Sequence, residues 1–222
     1  MNDTTATPAV ENYLKAIYLL EVKTGKPAPI SKVAERLAVA PASVTEMVQR
    51  LARDGLVKHA RYRGVGLTEQ GRRSALAVVR RHRLLETFLV SELGMDWAQV
   101  HEEAEALEHS ISDRLVTAIA AKLGEPSRDP HGDPIPSAEL EIDEAETVPV
   151  DQLPVGARGH LVRILDADGD LLAYLDRLGI RLGDEVEVLA LEPYGGPYTV
   201  AFSGRSRSLG RLAAVALAVE VN

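Results

Sequence analysis

The hydrophobic period of this chain changes near residue 148, and that change limits the folds open to it. Upstream, apolar residues recur three and four apart, as on amphipathic helices. The runs are Tyr13-Leu14-Ile17-Leu20, Ile30-Val33-Ala34-Leu37 and Val44-Met47-Val48-Leu51, then longer stretches over 69–91 and 97–123. In the last, Leu107, Ile111, Leu115 and Ile119 form an apolar stripe on a single expected helix. Downstream the runs are short and of β type, at 160–165, 185–191, 198–202 and 214–221, with one helical piece at 171–178. Gly183, Gly195 and Gly196 read as turn residues between them. A Gly/Pro-rich stretch, 124–136, and an acidic linker, 138–147, separate the two regimes. The expected fold is mainly α with a small β-barrel at the C-terminal end.

Within the helical part, Pro27 and Pro29 break the chain after the first helix. Two short helical patterns then follow on a tight connector, Ala38 to Pro41. The second is polar on one face, through Ser43, Thr45, Glu46, Gln49, Arg50 and Arg53. That is the pattern of a helix-turn-helix with its recognition helix. Leu56–His59 and Val65–Thr68 flank Arg61-Tyr62-Arg63-Gly64, a hairpin with a basic tip suited to a wing, and Thr68 is placed to cap the next helix. Hydroxyls and arginines on the polar face suit phosphates, whereas Glu46 is aimed at base edges, where it accepts from cytosine N4. Arg61 and Arg63 reach toward a minor groove or the backbone. A protein-binding winged helix would carry the same pattern.

The formal net charge of −8 argues against nucleic acid until its distribution is seen. Residues 41–83 carry a balance of +7, and residues 84–151 one of −14. One segment suits phosphates; the next is rich in hard oxygen donors that a divalent cation would neutralise. Two solvated helical faces of opposite sign would read the same way. With no cysteine, disulfides, thiolate metal sites and cysteine nucleophiles are excluded. The N-terminus has no secretory pattern, and the longest apolar run, Leu212 to Val219, is too short to span a bilayer, so a cytoplasmic protein is expected.

His101, Glu105, Glu108 and His109 are spaced i, i+4, i+7 and i+8, which on a continuous helix confines them to roughly 100° of arc. His82 and Glu86 add an i, i+4 pair of the same chemistry. Imidazoles and carboxylates in this pattern suit a divalent metal. A hydrolytic metal enzyme uses the same ligands. Against an enzyme, the chain has no HExxH, no sensible Ser-His-Asp order and no phosphate-cradling glycine loop.

With these residues in view, the chain resembles the diphtheria-toxin-repressor family of metal-dependent regulators, especially its manganese-transport-regulator branch. The likeness is carried by residues 11–18, 43–49, 61–64, 81–86, 100–112 and 129–136, in order. The resemblance implies a winged helix-turn-helix over 1–75, a helical dimerisation and metal domain over 76–140, and an SH3-like β-barrel over 148–222. It implies a primary metal site of Asn12, Glu105, Glu108 and His109, and an ancillary site of His82, Glu86 and His101. Asp166, Asp168 and Asp170 lie near where barrel ligands arise in the family. Two positions depart from it. Asn12 stands where iron regulators have Met and manganese regulators Asp, and Lys15 where some manganese regulators have a ligating Glu. Glu105 replaces the soft Cys of the iron branch. The implied function is a Mn(II)-dependent repressor of metal-uptake genes, a homodimer on a palindromic double-stranded operator, with Fe(II) as the alternative activator.

Overall fold

A computed structural model describes residues 7–60, 64–143 and 146–221. Contacts divide the chain into two compact units that are not continuous in sequence. The first holds residues 1–82, 108–111 and 136–141; the second holds 83–107, 112–135 and 142–222.

In the first unit, helix α1 (Pro8–Thr24) starts on the Thr7 side chain with Pro8 in its first turn and stops at Gly25, which is left-handed. Its inner face buries Leu14, Ile17 and Tyr18. Helices α2 (Ile30–Arg36) and α3 (Pro41–Arg53) bury Val33, Val44, Val48 and Leu51 completely. Burial of each such aliphatic side chain contributes about 1.5–3 kcal/mol. Strands β1 (Val57–Ala60) and β2 (Gly64–Leu67) pair antiparallel, and Ala28 bridges to Val65 along the free edge of β2. Thr68 caps helix α4 (Glu69–Leu93) by accepting from Gly71 N at 3.1 Å, as its position suggested. Only glycine fits at 71, because a Cβ there would stand 1.9 Å from the Leu56 carbonyl oxygen. This is a helix-turn-helix followed by a hairpin wing.

The unit boundary falls inside α4, between His82 and Arg83. The second unit continues with α5 (Val100–Leu107) and α6 (Asp113–Lys122). The expected single helix over 97–123 is therefore corrected to two. Ser112 is extended and its hydroxyl accepts from Leu115 N, which starts a new helix and ends the apolar stripe. Leu107 and Leu115, expected on that stripe, are 41% and 52% exposed.

The C-terminal part forms a six-stranded antiparallel sheet, ordered β3-β8-β4-β5-β6-β7, with bulges between Leu161 and Arg163 and between Val188 and Ala190 that bend it. The strands are β3 (Val148–Pro149), β4 (Arg158–Ile164), β5 (Glu185–Leu191), β6 (Tyr198–Phe202), β7 (Arg205–Leu209) and β8 (Leu217–Val221). Helix α7 (Gly169–Leu178) covers a core of Leu161, Ile164, Leu172, Leu175, Val188, Val200 and Leu217. The expected strand over 214–221 is in fact helix α8 (Arg211–Ala216) running straight into β8. Alanine-rich sequence favours helix until Leu217, where the backbone turns extended. Strand β7 escapes an apolar-run reading because its Arg-Ser alternation lies at an exposed sheet edge. Within this unit Trp97 packs on the β core and donates to Asp176 at 3.1 Å, and Ile164 N donates to the His131 carbonyl. No helix among the described residues is long and apolar enough to cross a membrane.

Candidate metal centre and nucleic-acid interface

One cluster forms wholly inside the first unit, where α1 supplies Glu11, Asn12 and Lys15, α4 supplies Arg81 and His82, and the turn after α5 supplies Glu108 and His109. The Nδ1–H of His109 donates to Glu11 Oε2 at 2.6 Å, and Arg81 Nη2 donates to the other Glu11 oxygen at 2.6 Å. His109 Nε2 then faces Asn12 Oδ1 at 2.7 Å and Glu108 Oε1 at 3.4 Å. An imidazole anchored through its far N–H to a carboxylate, with its near nitrogen facing two oxygens, has the orientation of a metal-binding histidine. The donor chemistry, two oxygens and one imidazole nitrogen, fits a divalent cation.

Glu108 is fully buried and strongly compensated. Lys15 Nζ donates to its two oxygens at 3.0 and 2.7 Å, and His82 Nδ1–H donates to Oε2 at 2.7 Å. Burial by itself would push this carboxyl up, but the His82 hydrogen bond and the Lys15 charge outweigh it and hold the pKa below the ordinary glutamate value. Sequence reasoning passed over Glu11, whose adjacency to Asn12 was its only signal. It treated Lys15 as a ligand lost, whereas the structure makes Lys15 the counter-ion of Glu108.

The remaining expected ligands lie in the second unit. Glu86, 2% exposed on α4, accepts from His101 Nδ1 at 3.1 Å, and His101 Nε2 lies 3.7 Å from Glu105 one turn along α5. The single-face argument for four ligands is thus corrected: His101 and Glu105 are on α5, while Glu108 and His109 follow its end and pack with α1. Two residues not singled out as ligands join this region. Asp129 and His131 are both buried, and each offers a ligand atom within 4.8 Å of the other and of Glu86. Burial first, then the neighbouring charges of Asp133 and Glu86, push the Asp129 carboxyl up to about 7. Asp168 caps α7 by accepting from Leu171 N at 2.7 Å, a structural role. Asp170 follows it in the first turn of α7.

On the nucleic-acid side, Ser43, Glu46, Gln49, Arg50 and Arg53 are exposed on the outer face of α3, opposite Val44, Val48 and Leu51. Thr45 is partly buried, and its hydroxyl donates back to the Pro41 carbonyl at 3.0 Å. Arg61 and Arg63 lie outside the described residues.

Comparison with known proteins agrees with this organisation. Residues 5–65 match the iron dependent repressor N-terminal DNA binding domain, 68–137 its metal binding and dimerisation domain, and 148–221 the FeoA domain. The iron-dependent repressor IdeR of Mycobacterium tuberculosis is 35% identical over 216 residues, covering 92% of each chain. The diphtheria toxin repressor of Corynebacterium efficiens is 35% identical over 189 residues, covering 81% of this chain and 82% of its own. A solved manganese-dependent transcriptional repressor in complex with manganese superposes with a TM-score of 0.89 at 43% identity, over 96% of this chain and 100% of the other. A DNA-binding helix face, a histidine–carboxylate cluster joined to the first helix, and full-length similarity converge: this chain belongs to the diphtheria-toxin-repressor family of metal-dependent transcriptional repressors.

Proposed function

We propose that the chain is a Mn(II)-dependent repressor of metal-uptake genes, working in the cytoplasm as a homodimer on a palindromic operator. The observation that carries this reading is the orientation of His109. Its Nδ1–H is tied to Glu11, and its Nε2 faces Asn12 Oδ1 at 2.7 Å and Glu108 Oε1 at 3.4 Å. The residues of this cluster offer no sulfur ligand, since the chain lacks cysteine and position 12 is Asn. Hard oxygen donors with one imidazole favour Mn(II) over softer alternatives. Glu105 is the proposed further oxygen ligand of this primary site, and His82, Glu86 and His101 the proposed ancillary ligands.

Asn12, Glu108 and His109 would hold the ion, which would supply positive charge between α1 and the turn after α5. The protein residues do the rest. Glu11 holds the His109 ring, Arg81 holds Glu11, and α1 is thereby fixed beside α2 and β2, which it contacts. Fixing α1 limits the positions open to α3, so metal and DNA favour the same conformation and each raises the affinity of the other. Ser43, Gln49, Arg50 and Arg53, with Arg61 and Arg63 from the wing, are the proposed backbone contacts, and Glu46 the base reader. The hydroxyl of Thr45, engaged with Pro41, contributes less.

Fe(II) is the competing activator, supported by the name of the mycobacterial relative, an iron-dependent repressor. The test is anaerobic operator binding with each metal titrated separately against a chelator control. Full activation by Mn(II), and partial activation at most by Zn(II), supports the proposal. Full activation by Fe(II) where Mn(II) fails overturns it, and equal binding in chelator overturns metal dependence altogether.

A further inference from the structure

We propose that Glu21 is a positioning residue: it passes the placement of α1, set at the far end of that helix by the metal cluster, to the wing strand β2. It acts through the Leu67 amide rather than on an ion. The proposal rests on the metal site given above to Asn12, Glu108 and His109.

Within the first unit both ends of α1 are tied to α4, and the two ties differ. At the metal end Arg81 Nη2 donates to Glu11 at 2.6 Å. At the other end Arg72 Nη2 stands 3.5 Å from Glu21 Oε2, with its guanidinium over the Tyr18 ring at 5.5 Å. The metal end is held tightly and the wing end with slack. Asn12 and Glu21 are nine residues apart. On a straight helix that places them about 13 Å apart along the axis and about half a turn around it. The helix between them is continuous, from its Thr7 cap to Gly25, so a shift imposed at one end appears at the other.

Glu21 meets the wing along the free edge of β2, where the amides of Val65 and Leu67 point away from β1. Val65 N donates to the Ala28 carbonyl at 2.9 Å, and Leu67 N donates to Glu21 Oε1 at 3.3 Å. The carboxylate thus takes a place on this edge that a neighbouring strand would fill. Gly66, between the two donors, leaves room for it, since a Cβ there would stand 3.0 Å from Oε1. Strand β1, paired with β2, contacts α3, so the wing strand leads on to the helix whose polar face is exposed.

The attachment is incompletely satisfied. The Leu67 bond is longer than the usual spacing of about 2.9 Å for an amide donor. Oε2 is buried and accepts no hydrogen bond among the described residues. Burial pushes the Glu21 carboxyl above the ordinary glutamate range, against the pull of the Leu67 amide and the Arg72 charge. An apolar side chain of similar size would remove that cost, and such replacements are often neutral or stabilising. Stability alone therefore does not account for a carboxylate here.

The test is hydrogen exchange of the full-length protein, read by mass spectrometry on peptides from α1 and from β2, with Mn(II) and with chelator. In wild type Mn(II) is expected to slow exchange in both, by about fivefold in β2. Glu21→Leu is expected to melt no lower than wild type and to keep the Mn(II) effect in α1 while losing it in β2. Glu21→Gln keeps an oxygen acceptor for Leu67 and should restore the effect in β2; its failure to do so overturns the Leu67 route. Equal Mn(II) protection of β2 in wild type and E21L overturns the proposal, as does protection that stops at α1 in wild type. A lower Tm for E21L, with faster exchange throughout the first unit, would also overturn it and make Glu21 an ordinary structural residue. Absence of Mn(II) protection in α1 itself is a separate failure, that of the proposed metal site, and this proposal falls with it.

Discussion

The two histidine–carboxylate clusters use the same side chains yet balance their charge in opposite ways. In the first unit, Glu11 and Glu108 are matched by Arg81 and Lys15, and the Lys15 ammonium sits within 3.0 Å of both Glu108 oxygens. In the second, Glu86, Asp129 and Asp133 outnumber Arg83 and Arg163, and Asp129 is pushed up to about 7. Ligand type alone therefore does not determine how strongly a site calls for a metal. In one cluster a lysine one turn from Asn12 reduces that demand; in the other Arg83 stands 3.7 Å from Asp129, whose carboxyl stays raised.

Substitution of the two central glutamates separates the clusters most sharply. Glu108→Ala leaves Lys15 buried without its carboxylate and should cost the metal-free protein about 3–5 kcal/mol in urea unfolding. Glu86→Gln relieves carboxylate crowding and should change metal-free stability by about 1 kcal/mol or less, in either direction. A larger loss from Glu86→Gln would break the comparison.

The second cluster hangs on backbone as well as side chains. Gly132 has φ +85°, and a Cβ there would lie 2.1 Å from the Val162 carbonyl oxygen. Gly132→Ala should cost about 2–3 kcal/mol and displace the loop that carries Asp129 and His131. The near-ultraviolet circular dichroism of Trp97, on whose ring His131 stacks, should change, with the first cluster unaffected. An unchanged Trp97 signal would mean that Gly132 does not set the position of the loop.

Lys15→Met tests the internal cation directly. Removing the ammonium from Glu108 should lower metal-free stability by about 2 kcal/mol. Added Mn(II) should then stabilise the variant more than wild type, because the ion replaces the missing charge. Equal Mn(II)-induced shifts in Tm would show that Lys15 and the metal do not compete for Glu108.

Arg50 lies outside both clusters and gives the smallest stability effect. Arg50→Ala should alter stability by about 0.5 kcal/mol or less, yet weaken binding to all DNA sequences alike and lower the salt slope by about one. A change confined to one base position would make Arg50 a base reader instead.

Local pattern made much of this fold readable. The 3.6-residue period placed Val44, Val48 and Leu51 on the inner face of α3, and left Arg50 and Arg53 outside. Ser112-Asp113 is a helix-start signal that an apolar stripe running through it concealed, so one helix was read where two exist. The missed strand β7 had no apolar run to reveal it, because an edge strand can expose most of its side chains. His82, Glu86, His101, Glu105, Glu108 and His109 were recognisable as metal-binding types. The argument that placed four of them on one helical face did not hold, because α5 ends at Leu107, before Glu108 and His109.

The sequence by itself determined the helical and β regimes, the reading face of α3 and the kind of atom available to a metal. These follow from short-range periodicity and side-chain chemistry, which act within a few residues. Only the tertiary structure decided which carboxylate meets which cation. Lys15 and Glu108 are 93 residues apart, Glu11 and His109 are 98 apart, and His131 reaches the carbonyl of Trp97 across 34. Such pairings are set by how packed helices and loops cross one another, and the cost of leaving a buried charge unpaired selects among the possible crossings.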